Sequence, residues 1–301
     1  MFPVLSYLIR YLTGWSLYLP VPTFGFFMAL AFWAAYVVFT MELRRKSDGA
    51  IPPSINIGRL MDRLLLWCGL IGFAGALLLA KLEDSYTLFH QPGRWLVRYH
   101  GLNYYGGLLF GAVTYLVLLR RRGIALATAA DIGSPGMMLA YAIGRLGCHL
   151  AGDGDWGIVN RWVKPAWLSW LPNGFWTAHY PHNVLRQGVF IPGCQGDYCA
   201  VLPDGVFPTS LYESVVCLLF FGALWSLRRR LVTPGLLFSI YAILIGAERF
   251  LIEYIRITPR HTLLGCTATQ AQLISLAWIA IGIAFAGHIL TSSAKKAYFY
   301  S

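Results

Sequence analysis

Apolar stretches separated by short polar segments repeat along the chain, and most approach the roughly 20 residues that a helix needs to cross the hydrocarbon core of a bilayer. This pattern predicts an all-α polytopic membrane protein with about seven transmembrane helices, and we take residues 1–301 as a single membrane domain. The predicted spans, in chain order, are Phe24–Thr40, Leu60–Ala80, Tyr104–Leu119, Ile132–Leu150, Pro208–Leu227, Gly235–Ile255 and Gln270–Leu290.

Charged residues make up 12% of the chain and hydrophobic residues 57%, whereas an ordinary soluble domain is about 25% charged. The apolar excess must therefore face something other than water. The net charge of +11 could indicate a nucleic-acid partner, but the basic residues gather beside the predicted spans, where they attract anionic headgroups. We therefore expect a membrane, and no nucleic acid, as partner. The basic clusters are Arg44–Lys46, Arg120–Arg122, Arg228–Arg230 and Lys295–Lys296.

The four basic clusters follow the first, third, fifth and seventh spans. Because basic clusters mark the cytoplasmic side, this alternation predicts an N-terminus outside the cell and a cytoplasmic C-terminus. The fourth and sixth spans carry charged residues, Arg145 in one and Glu248 with Arg249 in the other. The alternation holds only if both of these spans cross the membrane.

The segment Ala151–Phe207, between the fourth and fifth spans, is too long to be a turn. Trp and Tyr favour the membrane–water interface, so its aromatic first half predicts a small external cap lying on the outer leaflet. Cys194 and Cys199 lie in this cap, where a local disulfide is favoured over a metal site. A second aromatic segment, Tyr7–Tyr18, predicts an interfacial segment near the N-terminus. The aromatic residues of the cap include Trp156, Trp162, Trp167, Trp170, Trp176 and Tyr180.

Charged residues inside membrane spans are costly and are functional by default. In this chain the polar segments fall at the external ends of their predicted spans, although they are far apart in sequence. Independent structural ion pairs would not be expected to choose one side, so we expect a shared polar cavity at the depth of the outer leaflet. The segments contain Asn103–Gly107, Arg145, Asp153, Asp155, Glu213, Glu248, Arg249, Glu253 and Arg256.

Two arginines suit a phosphate group, because a guanidinium is always charged and donates two parallel hydrogen bonds. These are Arg145 and Arg249, and Glu253 lies four residues after Arg249 on the same helical face. Glu253 could hold the guanidinium in place, although a purely structural ion pair is the alternative. His149 with the two nearby aspartates could recruit a metal, but we disfavour this interpretation and expect neither a metal nor a cofactor.

Four motifs, in this order along the chain, resemble one known family. Gly101–Leu108 opens the third span with the pair Gly106-Gly107, and Gly144–Gly147 ends the fourth as Gly-Arg-x-Gly. Pro208–Glu213 opens the fifth as Pro-x-x-Leu-Tyr-Glu, and Arg249–Arg256 ends the sixth as Arg-Phe-x-x-Glu-x-x-Arg. Together they resemble the prolipoprotein diacylglyceryl transferase family, and the likeness extends from about Phe24 to Leu290.

The resemblance implies an enzyme of the bacterial inner membrane that uses phosphatidylglycerol as its donor. Such an enzyme moves a diacylglyceryl group onto the lipobox cysteine of a prolipoprotein, whose signal peptide lies in the membrane, and releases glycerol 1-phosphate. The resemblance implies that Arg145 binds the lipid phosphate and that Arg249 is a second essential arginine. The residues expected to bind the lipid are Arg145, Arg249, Gly106, Gly107, Cys148, Glu213 and Phe24.

The sequence departs from the family pattern at three positions, one within these motifs and two outside them. Tyr105 stands where the family has a His, a proposed general base, while Cys148 replaces an Asn and Phe24 a Tyr. A phenol, with a pKa near ~10, is a better hydrogen-bond donor or proton relay than a base. An acceptor thiol with a pKa near ~8.5 still needs activation. The residues expected to take part in the chemistry are Arg145, Arg249, Tyr105, Glu253 and the candidate bases Asp153, Asp155 and His100.

Two alternatives stay open at this point. One is a paralogue that transfers another lipid-derived group, or that uses a different acceptor. The other is a non-catalytic protein that binds a lipid or a signal peptide, which the missing His would permit. A transporter is the least favoured class, because the polar residues gather at one face of the membrane and do not continue to the other.

Overall fold

The seven predicted spans each coincide with a long helix in the computed structural model, which describes residues 1–47, 49, 51–83, 89–90, 93, 101–258, 261–263 and 266–299. The predicted all-α class is therefore confirmed. A shorter helix, α1 (Leu5–Thr13), comes first and leaves Tyr11 and Trp15 exposed. The long helices are α2 (Thr23–Lys46), α3 (Ile57–Glu83), α4 (Tyr104–Arg121), α5 (Leu126–Ala151), α6 (Thr209–Leu227), α7 (Leu236–Ile252) and α8 (Gln270–Phe299).

Four of these helices are long and apolar enough to cross a membrane, namely α2, α3, α6 and the part of α8 from Gln270 to Thr291. The helices α4 and α7 are shorter, and α5 contains both Asp131 and Arg145. That α4, α5 and α7 cross the membrane stays a prediction. The orientation of the termini depends on it and stays a prediction as well.

The chain divides into two units, one formed by residues 36–133 and the other by residues 1–35 together with 134–301. In the smaller unit α3 and α4 pack closely through glycines, as small residues at a helix interface allow. A Cβ atom on Gly106 would lie 2.9 Å from Cβ of Leu79, and one on Gly107 would lie 3.6 Å from Cβ of Ala76. Close packing thus accounts for glycine at position 106, whereas a Cβ atom at position 107 would make ordinary van der Waals contact.

Buried charges in the smaller unit have partners of opposite sign. Glu42 is 1% exposed and lies 2.6 Å from the Arg45 guanidinium. Asp131 is fully buried, and its carboxylate lies 3.2 Å from Nζ of Lys46. Such pairing offsets the cost of removing the charges from water, so these helices can continue past the apolar stretch.

In the larger unit α7 and α8 also meet at glycines. A Cβ atom on Gly246 would lie 2.8 Å from the carbonyl oxygen of Ser275, and one on Gly282 would lie 2.8 Å from that of Ser239. The apolar core that includes residues of α5, α6 and α7 has fully or almost fully buried side chains. They are Met138, Ala142, Cys217, Leu224 and Leu237.

The predicted cap is a folded segment with little regular structure. It contains two 3₁₀ helices, Ala166–Leu168 and Asn173–Phe175, and an antiparallel pair of strands, β1 (Val189–Phe190) and β2 (Ala200–Val201). A disulfide joins Cys194 to Cys199 in the loop between these strands, so the predicted pairing is confirmed. A further hairpin, β3 (His261–Leu263) and β4 (Cys266–Ala268), precedes α8. The cap core includes Trp156, Ala178, Tyr180 and Val206.

Candidate active site

Two arginines from different helices converge on one carboxylate. Arg145 lies near the end of α5, Arg249 near the end of α7, and Glu213 in the second turn of α6. Nε of Arg145 is 3.4 Å from Oε2 of Glu213, and Nη1 of Arg249 is 3.0 Å from Oε1. The Glu213 side chain is 0% exposed. Two guanidinium groups therefore meet at a single buried anion.

A third arginine contacts the same carboxylate. Arg256 lies four residues beyond the end of α7, and its Nη1 is 3.1 Å from Oε2 of Glu213. Both Arg256 and Arg145 also form ion pairs with Asp155, which follows α5. Because Asp155 and Glu213 each contact two or more guanidinium groups, the ends of α5, α6 and α7 are tied together by charge.

The remaining partner is Glu253, whose Oε2 lies 3.0 Å from Nη2 of Arg249. The ion pairs thus join three arginines and three carboxylates into one network, in which the positive and negative charges balance. We call this network the arginine cluster. Burying charges is tolerable only with such pairing, and guanidinium groups so placed can also bind a phosphate with two parallel hydrogen bonds each. Its members are Arg145, Asp155, Glu213, Arg249, Glu253 and Arg256.

Tyr141 supports the cluster from one helical turn before Arg145. Its hydroxyl donates a hydrogen bond to Oε1 of Glu213 at 3.2 Å. The Arg145 guanidinium lies over its ring, 5.0 Å from the centroid, where the face of an aromatic ring attracts a cation. Tyr141 therefore helps to orient both a cation and an anion of the cluster.

A close backbone approach places Asp155. The amide of Gly157 donates to the carbonyl of Phe207 at 2.8 Å, and the next amide, that of Ile158, donates to the carbonyl of Ile255 at 2.8 Å. A Cβ atom on Gly157 would lie 2.8 Å from Cγ2 of Thr209, closer than side chains tolerate. The Thr209 hydroxyl also donates to the carbonyl of Asp155 at 2.8 Å. Glycine at 157 thus lets the chain pass between the segments that lead into α6 and out of α7.

The two aspartates after α5 have different electrostatic surroundings. Burial alone would raise the pKa of Asp155, but the guanidinium groups of Arg145 and Arg256 outweigh it and hold that pKa below its ordinary value. Burial raises the pKa of Asp153, and the negative charge of Asp155 adds to the effect. A carboxylate with a raised pKa is the better proton acceptor near neutral pH. The surroundings of Asp153 thus favour its protonated form, and those of Asp155 favour the carboxylate.

Cys148 lies beside this aspartate pair. Its sulfur and the carboxylates of Asp153 and Asp155 lie within 4.8 Å of one another, close enough to bind a metal ion. Two guanidinium groups already contact Asp155, and their positive charge opposes a cation there. These contacts therefore disfavour a metal ion at this position.

Comparison with known proteins decides between the possible families. A family model described as prolipoprotein diacylglyceryl transferase matches residues 13–287. The chain belongs to the prolipoprotein diacylglyceryl transferase family. The resemblance predicted from the four motifs is therefore confirmed.

Relatives in this family are similar over most of the chain. It is 29% identical to phosphatidylglycerol–prolipoprotein diacylglyceryl transferase 1 of Streptomyces coelicolor over 252 residues, which cover 82% of this chain and 64% of the relative. It is 27% identical to the corresponding protein of Streptomyces avermitilis over 283 residues, 92% of this chain and 72% of the relative. The corresponding protein of Streptomyces griseus is 29% identical over 226 residues, which cover 72% of this chain and 61% of the relative. The chain thus spans less than two thirds of the Streptomyces coelicolor and Streptomyces griseus proteins.

Other predicted site residues of this diacylglyceryl transferase family member are not members of the arginine cluster. Phe24, on α2, is 39% exposed, and its Cα would lie 3.8 Å from a Cβ atom on Gly147. Tyr105, Gly106 and Gly107 belong to the unit of residues 36–133. His100 lies outside the described residues. A role of these residues in the lipid site stays a prediction.

Sequence reasoning did not assign a role to two members of the site. Arg256 follows Arg249 by seven residues, a spacing that would share a face of a continuous helix, and this signal could have found it. Tyr141 precedes Arg145 by four residues, but the sequence does not show which group its hydroxyl contacts, so its role needed the structure.

Proposed function

We propose that this protein transfers the diacylglyceryl group of phosphatidylglycerol to the lipobox cysteine thiol of prolipoproteins and releases glycerol 1-phosphate. The convergence of Arg145 and Arg249 on the Glu213 carboxylate carries the proposal, because the same donors suit the two free oxygens of a phosphodiester. The names of the relatives include the same donor, phosphatidylglycerol, and the same acceptor, prolipoprotein.

In the proposed reaction the acceptor sulfur attacks the diacylglyceryl carbon that carries the phosphate oxygen. A carbon–sulfur bond forms, the carbon–oxygen bond breaks, and its electron pair stays on the departing glycerol phosphate. Arg145 and Arg249 hold the phosphate, and Arg256 adds a third positive charge beside it. Donors fixed in advance where negative charge develops stabilise the transition state.

The thiol proton passes to Asp153 in this proposal. Its raised pKa suits a proton acceptor, whereas Asp155 is held by two guanidinium groups. Tyr105 stands where the family pattern has a His and would act as a hydrogen-bond donor or proton relay. Glu253 positions Arg249 through their 3.0 Å ion pair and does not itself react.

We further propose that the site opens toward the outer leaflet of the bacterial inner membrane, with the N-terminus outside and the C-terminus in the cytoplasm. The placement of the basic clusters supports this orientation. The acceptor would arrive with its signal peptide in the bilayer. In this arrangement Phe24 and Cys148, which belong to the same unit as the arginine cluster, contact the bound lipid.

The test is to incubate the purified protein with phosphatidylglycerol vesicles and a lipobox peptide and to follow the peptide by mass spectrometry. We expect a mass increase of one diacylglyceryl group and release of glycerol 1-phosphate. Arg145→Ala should abolish transfer, while Arg186→Ala, which alters a 58%-exposed arginine of the cap, should leave it unchanged. Normal transfer by Arg145→Ala would rule out the proposed phosphate site, and lipid binding without product would favour a non-catalytic lipid-binding protein.

A further inference from the structure

One buried carboxylate of α7 has no hydrogen-bond donor in the described part of the chain. Glu248 is 6% exposed, and neither of its side-chain oxygens accepts a hydrogen bond. Most buried polar groups in folded proteins have a partner, and a carboxylate within a membrane span is costlier still. An unsatisfied acceptor of this kind therefore asks for an explanation.

Glu248 lies at the edge of the arginine cluster. Its charge interacts with those of Arg145 on α5, Glu213 on α6, and Arg249 and Arg256 at the end of α7. Charged groups on or just after all three helices thus act on this carboxylate.

The arginine cluster does not supply the missing donor. Each of its three arginines forms ion pairs with Asp155, Glu213 or Glu253, and those pairs balance the charges three against three. Glu248 is a fourth carboxylate beside a balanced set. A ligand group that brings an O–H or S–H donor to Glu248 would supply the missing hydrogen bond.

We propose that Glu248 accepts a hydrogen bond from a hydroxyl or thiol group of the substrate that the arginine cluster binds. This inference rests on the proposed function. Two substrate groups carry such a donor close to the reacting phosphate, the headgroup hydroxyls of the donor lipid and the thiol of the acceptor peptide. In either case Glu248 contributes to recognition, while the arginines hold the phosphate.

The experiment measures substrate discrimination by Glu248→Leu, which removes both acceptors, and by the milder Glu248→Gln. One arm compares phosphatidylglycerol with a phosphatidylpropanol that keeps the phosphodiester and lacks the headgroup hydroxyls. If Glu248 binds the hydroxyls, the kcat/KM for phosphatidylglycerol divided by that for phosphatidylpropanol should fall by roughly tenfold or more in Glu248→Leu. Sites that bind a hydroxyl discriminate strongly against a substrate that lacks it.

The second arm varies the lipobox peptide at saturating phosphatidylglycerol. If Glu248 binds the thiol, the KM for the peptide should rise about tenfold while the lipid ratio stays at its wild-type value. Glu42→Gln is the matched control, because it neutralises a 1%-exposed carboxylate in the other unit and should change neither quantity. If Glu248→Leu does not fold, Glu248→Gln gives the same two readings with smaller changes.

The outcomes separate this inference from the proposed function. Unchanged lipid ratio and unchanged peptide KM in both Glu248 variants would overturn the inference, while transfer that is lost in Arg145→Ala would still support the proposed function. Absence of transfer in the wild-type protein would instead reject the proposed function.

Discussion

Alanine at position 157 would place a methyl group where the chain has no room for one. Its Cβ would lie 2.8 Å from Cγ2 of Thr209 and 2.9 Å from Cβ of Phe207, and closer still to the carbonyl oxygen of Ile255. An ordinary contact between carbon atoms is about 3.5–4.0 Å. The segments on either side of Gly157 must therefore move apart by about 1 Å.

That displacement acts directly on the arginine cluster. Asp155 lies two residues before Gly157, and Arg256 follows Ile255, so the shift separates a carboxylate from its guanidinium partner. Overpacking of this kind costs about 1–3 kcal/mol of stability. A misplacement of ~1 Å in a catalytic site can cost about 10²-fold in rate. We therefore expect Gly157→Ala to fold with a lowered Tm and to lose about two orders of magnitude in kcat.

The assay combines mass spectrometry of the lipobox peptide with thermal unfolding of the same preparation. Gly174→Ala is the matched control, because a Cβ atom at that position of the cap would meet nothing within 4 Å. It should match the wild type in both measurements. If Gly157→Ala transferred lipid at the wild-type rate, the idea that this close approach positions Asp155 and Arg256 would have to be abandoned.

Two further predictions concern the charged residues around the same site. Arg256→Ala should lower kcat by about 10²–10³-fold, because it removes contacts to Glu213 and Asp155. The measurement is the transfer rate over a range of lipid concentrations. A change confined to the KM for the lipid would contradict a role of Arg256 in the transition state. A base must be deprotonated to act, so kcat/KM should fall as the pH drops through the raised pKa of Asp153. Asp153→Asn should remove that decline from the pH profile and slow transfer at neutral pH, whereas an identical profile would exclude Asp153 as the base.

The helices could be predicted from the apolar pattern, but their ends could not. Hydropathy places the first span at Phe24–Thr40 and the fourth at Ile132–Leu150, whereas α2 continues to Lys46 and α5 already begins at Leu126. Hydropathy reports which residues suit hydrocarbon, while a helix continues wherever its polar side chains find partners. The 3.2 Å ion pair between Lys46 and Asp131 is such a partnership, and it joins residues 85 positions apart.

The candidate site was predictable to the extent that its residues lie at helix ends. The convergence of Arg145 and Arg249 was predicted from two motifs that lie near the ends of predicted spans. The choice between Asp153 and Asp155 does not follow from sequence, because it depends on which carboxylate meets the guanidinium groups. The seven-residue spacing between Arg249 and Arg256 indicates a shared helical face. It does not reveal the backbone bridge between Arg256 and Gly157, which joins distant segments beyond the end of α7.

The order of the arginine cluster along the chain has a consequence for biosynthesis. A nascent chain that ends after α6 contains one arginine of the cluster, Arg145, with two carboxylates, Asp155 and Glu213. Domains form progressively from the N-terminus during translation, so this intermediate carries surplus negative charge until Arg249 and Arg256 emerge from the ribosome. The last two arginines to be synthesised therefore neutralise the remaining negative charge of Asp155 and Glu213. A chain truncated before α7 would keep these two carboxylates with Arg145 as the one arginine of the cluster.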